Sequence, residues 1–150
     1  MKNKGFSLVE LIIVIAIMAI LAAAIAPALI RYIDKSRKSD DVAAAETVNT
    51  AVNAALANED AYSEAAAYGA FNSTSVVWSA DGGDTLAASN ATVGSTFGTE
   101  MSANLGGEAP KVKYNKDGNT SWQVKLQESG KAYVFKGDVE LQPDIDPSYK

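Results

Sequence analysis

Residues 4–27, KGFSLVELIIVIAIMAILAAAIAP, decide the architecture of this chain. No charged side chain occurs from Leu11 to Ile30, a stretch made mostly of Ile, Leu, Ala and Val. As an α-helix it measures roughly 30 Å, which matches the hydrocarbon thickness of a bilayer. We therefore predict a membrane-spanning helix with a carboxylate, Glu10, at its entrance and a proline, Pro27, near its far end.

The composition excludes most catalytic and metal chemistry. The 150 residues include no Cys and no His, so disulfides, thiolate nucleophiles and cysteine-ligated zinc are impossible, and the commonest general base is missing. A net charge of −5 argues against a nucleic-acid binder, since phosphate contacts need a basic face. We expect no catalytic residue, no metal, no cofactor and no specific nucleic-acid partner.

A secretory signal peptide is one alternative for the apolar segment, because Ala24-Ile25-Ala26 resembles a small-x-small cleavage site. The segment is longer than a usual signal core, however, and its apolar pattern runs on into a further helix. Lysines precede the segment and more cations follow within residues 31–38, so charge alone leaves its orientation open.

Glu10 needs an explanation, since a carboxylate at the centre of a membrane helix costs about 2.5–3.5 kcal/mol, and less near the end. One interpretation is an interfacial acid that reaches water. The other is a cationic partner in a low-dielectric setting, where a charge pair is stronger than in water. No Lys or Arg occurs from Gly5 to Ile30, so such a cation within this segment has to be created by processing.

The run Lys4-Gly5-Phe6-Ser7-Leu8-Val9-Glu10-Leu11, with the apolar stretch and Ala26-Pro27, resembles the N-terminus of type IV pilin precursors. The resemblance covers about residues 1–35. It implies that residues 1–5 are a leader peptide, which a prepilin peptidase removes between Gly5 and Phe6. It further implies that Phe6 is then N-methylated and that residues 6–30 form the transmembrane and filament-core helix.

The resemblance also implies a role for Glu10 in assembly. Cleavage creates an ammonium group on Phe6, and residues four apart share one helix face. In the family this glutamate neutralises the N-terminal amine of a neighbouring subunit; an intrachain pair is the alternative arrangement.

Pro27 predicts a helix kink, because proline lacks the backbone N–H and crowds the preceding turn. In the family this proline marks a stretch that bends and can lose helicity in the filament. This chain departs from the family at Ala19, where glycine is typical, and alanine favours helix by about 1 kcal/mol. Ser7 replaces a typical threonine.

Beyond the apolar segment, the mixed-charge residues 31–41 are interpreted as a solvated helix face that contacts lipid headgroups. Apolar residues then recur every three or four positions, at Val42, Ala45, Val48, Val52, Ala55 and Leu56. This spacing predicts a helix that continues to about Asn58 or, through an Ala-rich tail, toward Tyr68 before Gly69.

Residues 69–110 are rich in small and polar residues and predict a variable loop region that offers an exposed interaction surface. Within it we predict a short strand at Val76-Val77-Trp78 and a turn at residues 81–84. A short helix should carry Phe97, Met101 and Leu105. Ser95 or Thr96 would cap this helix and Gly106 would end it.

Residues 111–142 predict a β-meander of three or four antiparallel strands with one apolar face. Val112 and Tyr114 precede a hairpin signal at Asn115–Gly118. The alternating apolar positions that follow are Trp122, Val124, Leu126, Tyr133, Phe135, Val139 and Leu141. The predicted fold is α+β: a long N-terminal helix, half transmembrane and half amphipathic, packs on this sheet, and residues 31–150 form the head.

Three Asn-x-Ser/Thr triplets, at Asn72, Asn90 and Asn119, are interpreted as chance occurrences, not glycosylation sites. The acidic tail lacks an EF-hand pattern and predicts a solvated segment braced by Pro143 and Pro147. Its carboxylates are Asp138, Glu140, Asp144 and Asp146. Without cysteine, the means by which the tail is fastened stays open.

We expect a non-enzymatic structural subunit, the major pilin of a type IV pilus. It would wait in the bacterial inner membrane as a single-pass precursor and then form an extracellular homo-oligomeric filament that supports adhesion or motility. Its partners would be the prepilin peptidase and the pilus assembly machinery. Two alternatives are a pseudopilin of a type II secretion or competence DNA-uptake system, and a membrane-anchored glycosidase that uses two carboxylates.

Overall fold

The computed structural model describes residues 5–150, which divide into two compact units, one ending at Ser36 and one comprising Arg37–Lys150. The fold is α+β, as predicted: a long N-terminal helix packs on a four-stranded antiparallel sheet. The elements in chain order are α1 Leu8–Leu56, α2 Glu59–Ala67, β1 Val76–Asp81, α3 Ser95–Asn104, β2 Ser121–Leu126, β3 Ala132–Lys136 and β4 Val139–Gln142.

The first unit consists of the N-terminal part of α1 and the residues before it. The most apolar 18-residue stretch of α1 has a mean hydropathy of 3.0, and none of it is buried. The helix is long and apolar enough to cross a membrane. The backbone is helical on both sides of Pro27. The effect of this proline inside a filament stays a prediction.

Within the second unit, α1 turns one stripe of small and apolar side chains toward the core. Its buried residues are Asp41, Ala45, Val48, Ala51, Val52 and Ala55. Four of the six predicted positions are therefore buried, Val42 and Leu56 are partly buried against the core, and Ala51 and a carboxylate are added. The helix ends at Leu56. Its expected extension toward Tyr68 is instead a separate helix, because the side-chain oxygen of Asn58 accepts the N–H groups of Asp60 and Ala61 at 3.0 and 3.2 Å and starts α2.

The sheet has the strand order β1-β2-β3-β4, and all pairs are antiparallel. The predicted strand at Val76–Trp78 is confirmed and extends to Asp81. Other segments of the chain bond to part of each outer edge. Thr92 donates its N–H to the carbonyl of Val77 at 2.9 Å, and Asp146 donates its N–H to the carbonyl of Glu140 at 3.0 Å.

The prediction that Val112 and Tyr114 belong to a strand is wrong. Residues 111–115 form no strand, and the N–H groups of Lys113 and Tyr114 donate to the buried carboxylate of Asp41 at 2.7 and 3.1 Å. The turn before Gly118 exists, but it does not join two strands, and β2 pairs with β1 instead.

The predicted inner face of β3 is also wrong. Ala132, Val134 and Lys136 are buried, whereas Tyr133 and Phe135 lie half-exposed on the outer face. The ammonium groups of Lys131 and Lys125 lie 5.5 and 4.8 Å from the centres of these two rings. Cation–π contact stabilises aromatic rings on an exposed face. On the inner face, Lys136 is paired with polar groups.

Helix α3 is confirmed, with Phe97 and Met101 buried, but its predicted cap is wrong. Neither Ser95 nor Thr96 caps it through its side chain. The carboxylate of Glu64 on α2 accepts the N–H groups of Thr96 and Phe97 at 2.9 and 3.1 Å. The start of α3 is therefore fixed by a neighbouring helix.

Candidate functional site

Helix α1 begins directly after Ser7, and the backbone N–H of Ser7 donates to Oε2 of Glu10 at 2.9 Å. This bond is one half of a capping box, in which an acid at the third helical position satisfies the N–H of the cap residue. The negative charge also lies at the positive end of the helix dipole. Glu10 therefore has an intrachain partner that needs no cation.

The predicted cleavage site lies outside the helix. Gly5 and Phe6 are non-helical and exposed, and the Phe6 side chain is 88% exposed. Residues 1–4, most of the predicted leader, fall outside the described residues. Because Phe6 is joined here to Gly5 by a peptide bond, its nitrogen carries no charge, and the pairing of a Phe6 ammonium with Glu10 stays a prediction.

From Leu8 to Ile30 every side chain of α1 is exposed. A contiguous apolar surface of this size marks a membrane or protein contact, since soluble monomers rarely expose one. This segment thus combines an exposed peptide bond before the helix, an acid in the first helical turn and an apolar surface along the helix.

A second site, which the sequence interpretation missed, is a partly buried polar cluster around Lys136, hereafter the Lys136 cluster: Asp41, Tyr114, Asp117, Lys136 and Tyr149. The ammonium of Lys136 lies 3.0 Å from Oδ2 of Asp117 and 3.5 Å from Oδ2 of Asp41, and it donates to the hydroxyl of Tyr149 at 2.6 Å. It also donates to the carbonyl oxygen of Tyr114. A buried cation is tolerated when it is paired and hydrogen-bonded in this way.

Asp41 connects this cluster to α1. Its carboxylate is fully buried and accepts the N–H groups of Lys113 and Tyr114 in addition to pairing with Lys136. The cluster thereby joins α1, the segment before β2, strand β3 and the C-terminus. No local pattern signals this arrangement, because a lysine that follows an aromatic residue in a strand ordinarily faces water.

The pKa values of two members follow from their contacts. Burial pushes the pKa of Asp117 upward, but hydrogen bonds from Lys136, from the Tyr149 hydroxyl and from the N–H of Asn119 outweigh it and hold the pKa below its usual value. Burial and the hydrogen bond to Asp117, with the charges of Asp117 and Asp41, raise the pKa of Tyr149 far above its usual value. Asp117 is thus ionised and Tyr149 neutral at neutral pH.

The C-terminal tail is fastened by these contacts in place of a disulfide. Besides the buried Tyr149, the ammonium of Lys38 on α1 donates to the carbonyl of Ser148 at 2.7 Å. Asp146 accepts the N–H of Ser148 at 2.8 Å, so this acid caps the final turn and is not a simple solvated charge. Within residues 5–150, the carboxylates form no group of three suited to a metal ion.

The variable region has a shallow polar depression of about 300 Å³ on the outer face of β1 and β2. Its lining residues are Ser79, Ala80, Asp81, Asp84, Asn90, Ser121 and Gln123. The amide of Asn90 donates to the carbonyl of Ser79 at 3.2 Å, and Oδ1 of Asn72 accepts the N–H of Ser75 at 2.8 Å. Both asparagines thus organise loops; glycosylation at Asn72, Asn90 or Asn119 stays untested.

Residues 1–26 match the family described as the prokaryotic N-terminal methylation motif. Over 54 residues the chain is 52% identical to "Fimbrial protein Q" of Moraxella bovis, which covers 36% of this chain and 34% of that protein. Over 63 residues it is 37% identical to "Type IV major pilin protein PilA" of Myxococcus xanthus, which covers 42% of this chain and 29% of that protein. The chain therefore spans about a third of the length of these relatives. No solved structure matches it significantly.

Proposed function

We propose that this chain, which carries the N-terminal methylation motif of type IV prepilins, is the major structural subunit of a type IV pilus. One combination of features supports the proposal above all: the motif at residues 1–26 includes the start of helix α1, whose side chains from Leu8 to Ile30 are all exposed. The names of the two relatives, a fimbrial protein and a major pilin, favour a filament subunit over a pseudopilin.

The proposed sequence of events begins with the precursor in the inner membrane of a bacterium. A prepilin peptidase cuts between Gly5 and Phe6, which the exposed and non-helical state of both residues permits. The new N-terminal nitrogen of Phe6 is then methylated. The assembly machinery moves α1 from lipid into a bundle of identical helices, and the filament supports adhesion or motility.

Glu10 provides selectivity in this transfer. Lipid tails and a helix bundle are about equally apolar, so burial alone supplies little net drive, and packing and polar contacts must decide which helices associate. In the precursor the Glu10 carboxylate accepts the N–H of Ser7. After cleavage, the Phe6 ammonium of a neighbouring subunit offers a stronger partner, since a charge pair in a low-dielectric bundle exceeds a bond to a neutral N–H.

The test is the mass of the mature chain together with electron microscopy of the cells. We expect the mature chain to begin at Phe6 with one added methyl group, and long surface filaments composed mainly of this chain. A mature chain that begins near Pro27 would refute processing as a prepilin. Correct processing with fibres confined to the periplasm would contradict the pilus and support a pseudopilin.

A further inference from the structure

We propose that residues 143–150, hereafter the C-terminal strap, are a charge-controlled latch that the Lys136 cluster holds shut and that opens without unfolding the sheet. The strap follows β4 and returns to α1 through Tyr149 and Ser148. It fastens the tail reversibly and without a disulfide, since the chain contains no cysteine.

The strap has few attachments besides the cluster. Of residues 143–150, all of which the structure describes, Tyr149 alone is buried. The strap also packs the partly buried Ile145 against the core, receives the Lys38 ammonium at the carbonyl of Ser148, and donates the N–H of Asp146 to the carbonyl of Glu140. A segment with one buried side chain and a small number of exposed hydrogen bonds is of the kind that opens locally, at a lower free energy than the whole domain.

The Tyr149 hydroxyl is the point at which the latch closes. It accepts from the Lys136 ammonium at 2.6 Å and donates to Oδ2 of Asp117 at 2.8 Å. The hydroxyl can make both bonds only while Tyr149 keeps its proton, and its bond to Asp117 is strongest when that carboxylate is ionised, because charged acceptors form stronger hydrogen bonds. The closed state thus depends on the protonation of Tyr149 and of Asp117.

Every element packed against Tyr149 contributes a titratable or charged group. Helix α1 contributes Asp41 and Lys38, whose ammonium lies 5.4 Å from the Tyr149 ring. The segment before β2 contributes Asp117 and Tyr114, whose ring meets that of Tyr149 edge-on at 6.0 Å. Strand β3 contributes Lys136, and Asp146 of the strap accepts the N–H of Ser148.

Opening should leave the rest of the head intact. Val124 and Val134, which face each other across β2 and β3, are fully buried, and Trp122 donates its indole N–H to the carbonyl of Pro110. None of these contacts involves the strap. When Tyr149 leaves, Lys136 also keeps both carboxylates, Asp41 and Asp117, so no buried charge is left without a partner.

The experiment is amide hydrogen exchange of the full chain in detergent micelles, which does not depend on whether the chain forms filaments. Tyr149→Phe removes the hydroxyl and keeps the ring. At neutral pH we expect the strap amides of Tyr149→Phe to exchange about tenfold faster, as the loss of buried hydrogen bonds predicts, while β2 and β3 amides keep their protection. The matched control is Tyr133→Phe, which loses a hydroxyl bonded to Gln127 on the outer face.

The pH dependence separates a latch from a simple packing contact. Exchange rates corrected for intrinsic chemistry should rise in the strap before they rise in the sheet as the pH falls below about 4, the ordinary range of a carboxyl group. Asp117→Asn should speed strap exchange at neutral pH and weaken its response to acid; the response that remains comes from Asp146, because hydrogen bonds from Ser148 hold the pKa of this carboxyl below its usual value. Unchanged strap exchange in Tyr149→Phe would overturn the proposal, and so would strap and sheet amides that accelerate together.

Discussion

The ammonium of Lys136 and the carboxylate of Asp41 lie 3.5 Å apart with no solvent exposure of either side chain, and they join β3 to α1. Removing one member of a buried, hydrogen-bonded pair leaves the other charge uncompensated, which costs about 3–5 kcal/mol. The stability of the head therefore depends on charges from two elements that are remote in the sequence.

Lys136→Met tests this dependence. We expect the free energy of unfolding of the head to fall by about 3–5 kcal/mol, because Asp41 and Asp117 lose their cation. Trp78 and Trp122 are both fully buried, so tryptophan fluorescence during denaturant titration in micelles measures the change. Lys131→Met, at an exposed position on the same strand region, should stay within about 0.5 kcal/mol. Equal effects of the two substitutions would contradict a special role for Lys136.

Stability should also fall at both ends of the pH scale. The pKa of Asp117 is below its usual value in the folded chain, so its contribution is present above about pH 4 and is lost as the pH falls through the lowered pKa. The pKa of Tyr149 is raised, so its contribution is present below about pH 10 and is lost above that, because the unfolded chain ionises first.

Denaturant midpoints measured from about pH 3 to 11 check both limbs. Asp117→Asn should flatten the acid limb and Tyr149→Phe the alkaline limb, each relative to the unsubstituted chain. Tyr133→Phe, at a half-exposed position on the outer face, is the matched control. If Tyr149→Phe kept the full alkaline loss of stability, another group would be responsible.

Glu10→Gln and Glu10→Ala separate two roles of one carboxylate. Glutamine can still accept the N–H of Ser7 but carries no charge, whereas alanine can do neither. If charge pairing with Phe6 governs assembly, both variants should insert in the membrane, and both should lose filaments. Electron microscopy and an immunoblot of sheared surface material measure the loss. Glu46→Gln, exposed on the same helix, is the control, and normal filaments from Glu10→Gln would show that the cap alone suffices.

Glu64→Ala should destabilise the head by about 1–2 kcal/mol, the usual effect of losing a helix cap. The N–H groups of Thr96 and Phe97 would lose their acceptor. Glu64→Gln, which keeps an acceptor oxygen, should be milder, and Glu59→Ala at an exposed position of the same helix is the control. Tryptophan fluorescence again gives the unfolding free energy; no difference between Glu64→Ala and Glu59→Ala would refute capping across helices.

Much of the fold could be predicted because its signals are local. The apolar spacing from Val42 to Leu56 identified the buried face of α1, and strict alternation from Trp122 to Leu126 identified β2 with the correct face inward. Both patterns depend on the period of a single element, which a sequence carries in full.

The errors arose where a distant group overrides the local pattern. Tyr133 and Phe135 were expected on the inner face of β3 because they are aromatic. Lys136 has its polar partners on that face, so Lys136 points inward and the two aromatic residues point outward. The carboxylate of Asp41 accepts hydrogen bonds from the N–H groups of Lys113 and Tyr114, which in a strand would bond to the neighbouring strand. In each case the deciding group lies on another element.

The sequence by itself determined the exposed apolar part of α1, the N-terminal methylation motif that overlaps its start, the acid in its first turn and the α+β class, because each depends on residues close together in the chain. Only the tertiary structure decided which charges are buried and how the C-terminus is held. Burying the Lys136 ammonium requires oxygens from α1, the segment before β2 and the C-terminal strap to meet at one point. That convergence is a property of the packed chain, because no segment supplies enough partners to offset the desolvation of a charge.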